Sequence, residues 1–180
     1  MHGLSRLSVG DVAKRAGLSR QTLYKHFDSR EDLIAQTVLR ETSRIVEQVV
    51  AASEAEPEPE ASLEAAILTA LLAVRSHPLL DRLLATEPES LLPLLVEGSG
   101  SVQETMSLVC RQVLHARLPE LGEVQVRAGA DVLSRMLVSY AVRPPEDDPA
   151  AVARFLCRSL VAGMTPDPNP PVASTPAATA

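Results

Sequence analysis

The sequence predicts an all-α protein, and three observations carry that prediction. Apolar residues recur at helical steps through most of the chain, aromatic residues make up only 2% of it, and no long stretch alternates apolar with polar residues as a half-buried strand would. The hydrophobic share of 46% is enough for one medium domain, or for a small head joined to a larger body.

Taken in order, a first short helix is expected to open at Ser8, which with Asp11 resembles a capping box, and to run through Arg15. Gly17 stands where the chain must turn sharply, as a residue that tolerates positive φ. Ser19 is placed to cap a second short helix, and Asp28 or Ser29 ends it and starts a third. From Arg30 to Ser53, Ile34, Val38, Ile45 and Val49 follow at steps of four, seven and four, which makes one long amphipathic helix. It stops at EAEPEPE, residues 54–60, where acid and proline content cannot continue it. Ser62 is read as the cap of the next helix, ending near Ser76, and Pro78 and Pro88 each suit the first turn of a short helix. After EGSGS a helix runs from Val102 to Arg117 and stops before Pro119. Two more cover Glu123 to Val142 and Pro149 to Ala162, separated by RPPEDDP. Residues 165–180 are rich in proline and alanine, lack periodicity, and read as a disordered tail dispensable for any activity of the head.

Composition excludes several classes. Cys110 and Cys157 are far apart, with no CxxC spacing and no histidine or cysteine cluster beside them, so neither a disulfide framework nor a metal site is expected and no cofactor is implied. His2, His26, His77 and His115 are isolated, and no nucleophile elbow, HExxH or phosphate loop occurs, so the chain is not read as an enzyme. No apolar run reaches bilayer length and MHGLSRLSVG is not a signal peptide, so a cytoplasmic protein without membrane contact is expected. The net charge of -6 argues against a nucleic-acid partner only until its distribution is seen. Residues 1–40 carry seven basic and four acidic side chains, a surplus of +3, which leaves -9 on the remainder. A basic head on an acidic body suits a protein that meets phosphate with the head alone.

The informative stretch is SVGDVAKRAGLSRQTLYKHFDSREDLI, residues 8–34. A helix, a glycine turn and a capped second helix have the spacing of a helix-turn-helix. In the second helix Leu23 and Phe27 lie four apart and are expected to pack on Val12, Ala13 and Leu18, while Arg20, Gln21, Tyr24 and Lys25 project from the opposite face. That quartet offers a guanidinium fork, an amide, an amphipathic ring and a cation, groups suited to base edges, thymine methyls and phosphates. Ser19 and the free N–H groups at the helix start suit a phosphate.

On these residues the segment resembles the tetracycline-repressor (TetR) family of one-component regulators, with the helix-turn-helix, the TLYxHF core and the following S-R/K-E-x-L all in place. The resemblance implies a homodimer on double-stranded, palindromic operator DNA, and a small-molecule effector that binds inside the body and releases the DNA. It assigns Arg20 and Gln21 to base reading, Thr22, Tyr24 and His26 to phosphate and groove contacts, Lys25 to either, and Arg30 to phosphate. The expected organisation is a helix-turn-helix head over 1–34, a helical ligand-binding and dimerisation bundle over 35–164, and the tail over 165–180. In the family a further helix normally precedes the segment that begins here at Ser8, whereas only MHGLSRL does so in this sequence. Its absence would remove part of the head's core, and the competing reading is therefore a helical ligand- or partner-binding dimer without competent DNA binding.

In the body, Leu72, Leu92, Leu95, Met106 and Val109, with polar Arg75, His77 and His115 nearby in sequence, are the candidates for lining a pocket between helices. The scarcity of aromatic residues favours an aliphatic or acyl-like effector over a planar multi-ring one. For dimerisation, Leu133, Met136, Leu137 and Tyr140 form one stripe, and Val152, Phe155, Leu156, Ser159, Leu160 and Gly163 another, with small residues that permit close helix approach. The alternative is that both stripes face the protomer's own core. Two heads joined in this way would hold their second helices about 34–36 Å apart, one turn of B-DNA, and an effector that tilts the Arg30–Ser53 helix would spoil that spacing.

Overall fold

A computed structural model describes residues 9–75, 77–86, 88–97 and 101–164. Among them the chain forms nine α-helices and no strand: α1 (Val9–Arg15), α2 (Arg20–Leu23), α3 (Arg30–Ala55), α4 (Pro59–Arg75), α5 (Pro78–Thr86), α6 (Pro88–Val96), α7 (Val102–Arg117), α8 (Glu123–Val142) and α9 (Pro149–Met164). Four of these helices open on proline, whose fixed φ and missing N–H suit the first helical position. Three others open on a serine whose hydroxyl accepts a first-turn N–H: Ser19 from Thr22, Ser29 from Asp32 and Ser101 from Glu104. The expected cap at Ser8, the helix end at Ser76, the glycines at 98 and 100 and the tail lie outside the described residues.

Two local expectations are corrected. Ser62 does not cap α4, because Pro59 has already begun that helix. Ser62 is instead buried inside it, and its hydroxyl donates to the Ser53 carbonyl at 2.6 Å. The second helix is also shorter than its motif suggests. It spans four residues and passes into turns held by Lys25 N–H to the Thr22 carbonyl and His26 N–H to the Leu23 carbonyl.

Three apolar clusters organise the described residues. The head is held by Val9, Ala13 and Leu23, with Val12, Phe27 and Leu33 against them. Leu18, expected in this core, is 42% exposed, because the turn after Gly17 (φ +69°) points it outward. The main core joins α3, α4, α7, α8 and α9 through Val49, Leu63, Ile67, Leu114, Ala130, Leu133 and Leu156. Between head and main core a smaller cluster gathers Val38 of α3, Leu83 of α5, Leu91 and Leu95 of α6, Met106 of α7 and Val138 of α8.

Helix α3, 26 residues and about 39 Å long, is common to all three clusters: Leu33 meets the head, Val38 the middle and Val49 the main core. The head-to-body boundary near residue 34 is therefore a change of packing partner along one continuous helix. At its far end α3 is clasped. The Ser53 carbonyl accepts both from Ser62 and from Arg117 Nη2 at 2.8 Å, and the Ser53 and Ser62 hydroxyls are 2.9 Å apart.

Candidate nucleic-acid interface and body cavity

The outward face of the head is built by α2 and the turn after it. Ser19, extended at φ -76° and ψ 154°, accepts the Thr22 N–H at 3.0 Å, and its hydroxyl is 2.8 Å from that of Thr22. The capped start presents Arg20 and Gln21 to solvent. The following turn presents Tyr24, 51% exposed, together with Lys25 and His26. Ser19, Arg20, Gln21, Tyr24, Lys25 and His26 are each exposed, whereas Leu23 among them is buried. Two residues expected with them are placed differently. Thr22 is half-buried and engaged with Ser19. Arg30, 24% exposed at its side chain, is 3.9 Å from Glu31 and lines the junction between head and body with Val12, Leu33, Ile34 and Leu79.

Sequence reasoning missed Gly10. The Arg20 guanidinium lies directly over it, and a Cβ built on Gly10 would stand 2.7 Å from Arg20 Nε. Helix α1 therefore positions the first outward side chain of α2, and the only signal in the sequence is a glycine inside a short helix, where it would otherwise be a cost.

Three adjoining cavities run along α3. One of about 160 Å³ lies at the head-to-body junction and shares Leu79 and Leu83 with the next. That next one, of about 70 Å³, is lined by Val38, Glu41, Thr42 and Ile45 of α3, Val74, His77, residues of α5 and α6, Val102 and Ala141. A third, of about 40 Å³, shares Thr42, Ile45, Val74, Val102 and Ala141 and reaches Met106 and Val138. Of the pocket candidates, His77 and Leu95 line the middle cavity and Met106 the third. Val109 borders a separate void of about 20 Å³ in the main core. Leu72, Arg75, Leu92 and His115 line none of these cavities and are exposed. The reason is rotational: with Leu71, Leu91 and Leu114 turned inward, the next residue on each helix lies 100° away. The α3 residues Val38, Glu41, Thr42 and Ile45 were missed because the heptad-like stripe reads as plain core.

The proposed dimer stripes divide in the same way. Leu133, Leu137 and Leu156 belong to the protomer's own core, and Met136, Tyr140, Val152 and Leu160 pack against it half-buried. Phe155 (70% exposed), Ser159 and Gly163 face outward on α9. On α8 the outward apolar stripe is Val124, Ala128 and Val132, one register away from the expected one. Beside it, Arg135 bonds Asp131 at 2.9–3.0 Å and, with Arg111, holds that carboxyl below the usual range. The two glycines of this region differ in use. A Cβ at Gly129 would collide with the Met164 sulfur, so that glycine lets α9 close on α8, whereas a Cβ at Gly163 would meet nothing within 4 Å.

Comparison with known proteins places this architecture. Residues 1–37 match the family described as bacterial regulatory proteins, tetR family, and residues 58–161 match the bacterial tetracyclin repressor, C-terminal domain. An uncharacterized HTH-type transcriptional regulator of Mycobacterium tuberculosis strain H37Rv is 31% identical over 153 residues, covering 83% of this chain and 73% of the relative. Among solved structures, the TetR family repressor AlkX from Dietzia sp. strain DQ12-45-1b, implicated in biodegradation of n-alkanes, superposes with a TM-score of 0.70 at 28% identity. That match covers 88% of this chain and 84% of the other. The fatty acid degradation regulator FadR from Bacillus halodurans shares the fold, with a TM-score of 0.60 at 16% identity over 91% and 88% of the two chains.

Proposed function

From the premise that the chain belongs to the tetR family of bacterial regulatory proteins and is a DNA-binding transcriptional regulator, we propose that it is a homodimeric repressor released from a palindromic operator by an aliphatic effector. The observation that carries this reading is the placement of α3. One uninterrupted helix begins beside the exposed surface of α2 and then forms a wall of each of the three adjoining cavities. An occupant of those cavities presses on the helix that carries the head. The effector prefers the arrangement with α3 displaced, so binding shifts the dimer toward a head spacing that no longer matches successive major grooves.

Arg20 and Gln21 read base edges, Tyr24 and His26 meet the groove wall and phosphates, and Lys25 neutralises a phosphate. Ser19 and Thr22 hold the turn that presents these side chains, and Arg30 fixes the head on the body. The second copy docks on Val124, Ala128, Val132, Phe155, Ser159 and Gly163, the outward apolar and small residues of α8 and α9. An aliphatic effector suits walls built mainly of leucine, isoleucine and valine, and the solved relative at 28% identity is implicated in n-alkane biodegradation.

The deciding experiment is fluorescence anisotropy of the purified chain with DNA from its own promoter region, titrated with medium- and long-chain aliphatic compounds. Salt-sensitive, saturable binding that an aliphatic compound reverses is the expected result. Binding to no promoter fragment overturns the repressor reading in favour of a ligand- or partner-binding dimer.

A further inference from the structure

Among the described residues lining the middle cavity the polar ones are Glu41, His77 and Thr42, and the rest are aliphatic. Glu41 Oε2 is 3.7 Å from His77 Nε2, and the remaining polar group, the Thr42 hydroxyl, donates to the Val38 carbonyl of its own helix at 2.9 Å. The Leu80 N–H approaches His77 Nδ1 at 3.4 Å, which makes Nδ1 the acceptor and leaves the proton of the neutral ring on Nε2. A separation of 3.7 Å is too long for a direct hydrogen bond. It does admit an oxygen set to one side of the line, at about 2.8 Å from each partner. Such an oxygen must accept from Nε2–H and donate to the Glu41 carboxylate. A hydroxyl does both; a carboxylate, an ester or a bare alkane does not.

Charge points the same way. Glu41 is balanced by Arg44 at 3.0 Å, but Arg44 is 57% exposed and does not line the cavity; neither lysine nor arginine is found among the described residues lining this middle cavity, and Arg30 belongs to the adjoining cavity on the side of the head. An anionic head group would meet the Glu41 carboxylate with no cation on its own side of it. We propose that the effector's polar end is an uncharged hydroxyl held between Glu41 and His77, so that this chain responds to aliphatic alcohols in preference to fatty acids. This rests on the reading that the α3 cavities are the effector site.

The test is direct binding of 1-dodecanol, dodecanoate and dodecane to the 180-residue chain, by thermal shift and calorimetry, in parallel with operator anisotropy. Dodecanol is expected to bind at least about tenfold more tightly than dodecanoate, since the carboxylate sets like charges against each other. The E41Q variant should recover most of the dodecanoate affinity, and H77L, which leaves Glu41 as the hydroxyl's one polar partner, should weaken dodecanol and narrow its advantage over dodecane. R44Q, which changes a side chain outside the cavity, should keep dodecanol binding and weaken dodecanoate further. Equal or tighter binding of dodecanoate by the natural chain, an unchanged preference in E41Q, or binding of none of the three compounds while the operator is still held would each overturn the proposal. Failure to hold any operator would instead count against the repressor reading, and the direct binding curves would still decide the head group.

Discussion

The Arg20 side chain rests on Gly10, one helix earlier, in space that any other residue's Cβ would enter at 2.7 Å from Arg20 Nε. The neighbour is the far end of a flexible side chain, so filling that space moves Arg20 rather than the backbone. Gly10→Ala also replaces the poorest ordinary helix former by the best, a gain of up to about 1 kcal/mol. The variant should therefore keep or raise its melting temperature while losing operator affinity about fivefold to tenfold, about 1–1.4 kcal/mol. Thermal unfolding and anisotropy on one preparation check this. Unchanged affinity would show that Arg20 does not read the operator from where Gly10 places it.

Lys25 and Tyr24 are adjacent exposed residues and differ in kind. A lysine that neutralises one phosphate releases about one counterion, so Lys25→Ala, which removes one such lysine from each protomer of a dimer, should weaken binding to all DNA alike and lower the slope of log K against log salt by about 1.8, that is about 0.9 per protomer. Tyr24→Ala removes a ring without charge and should weaken binding with the slope unchanged. Identical slopes for the two variants would count against the assignment of Lys25 to phosphate.

How far the sequence discloses the molecule depends on whether one face or two are buried. Helices α7 and α8 are legible to the residue, because a serine or glycine precedes them and Pro119 or Pro144 follows close behind. The head is legible because Gly17, Ser19 and Ser29 each have one conformational task, which the structure shows them performing. In α4, α6, α8 and α9 apolar residues occupy more than one face, so periodicity does not choose between Leu71 and Leu72 or between Val132 and Leu133. Ser62 misleads for a related reason. A serine placed just before an apolar run reads as a cap, but the partner that explains it, Ser53, is nine residues back on another helix.

Phe155, 70% exposed, is the largest outward apolar group on α9. Burial of such a ring against a second copy contributes about 2–3 kcal/mol per protomer. Phe155→Glu places two like charges about the dimer axis and should convert the dimer to monomer in sedimentation at micromolar concentration, with the helical content of the fold kept. Operator affinity should fall with it, since two heads then no longer bind as one unit. A Phe155→Glu chain that sediments as the natural one does would move the interface elsewhere.

Burial pushes the Cys110 thiol up to about 12 and the Cys157 thiol, beside Glu60 and Glu64, to about 11. Both thiols bind their protons more tightly in the folded chain than in the unfolded one. Their contribution to stability is thus complete below the ordinary thiol value of about 8.5 and is lost as pH rises toward 11–12. Denaturant midpoints should be level across pH 7–8 and fall from pH 9 upward. Labelling by a thiol reagent at pH 8 should be limited by opening of the fold, and rapid labelling of both thiols in the folded chain would contradict their burial.

The Ser53 carbonyl stands where an uninterrupted helix would offer it the N–H of residue 57, and residue 57 is a proline. Ser62 and Arg117 replace that missing donor, and in doing so they tie the end of α3 to α4 and α7. The opposite end of α3 borders the cavities, and under the proposed mechanism the clasp is the fixed point about which an occupant would swing the head. In Ser62→Ala the carbonyl keeps Arg117, but the buried Ser53 hydroxyl loses its partner, at a cost of about 1–2 kcal/mol. The melting temperature should then fall by about 3–6 °C for a chain of this size. Operator affinity without effector should be nearly unchanged, since the head is untouched. The effector-induced loss of affinity should shrink, because a loosened end lets α3 yield at the clasp instead of transmitting the displacement to α2. The measurement is the ratio of operator dissociation constants with and without saturating effector in both chains. An unchanged ratio beside the lowered melting temperature would make the clasp a purely stabilising contact and place the pivot of α3 elsewhere along the helix.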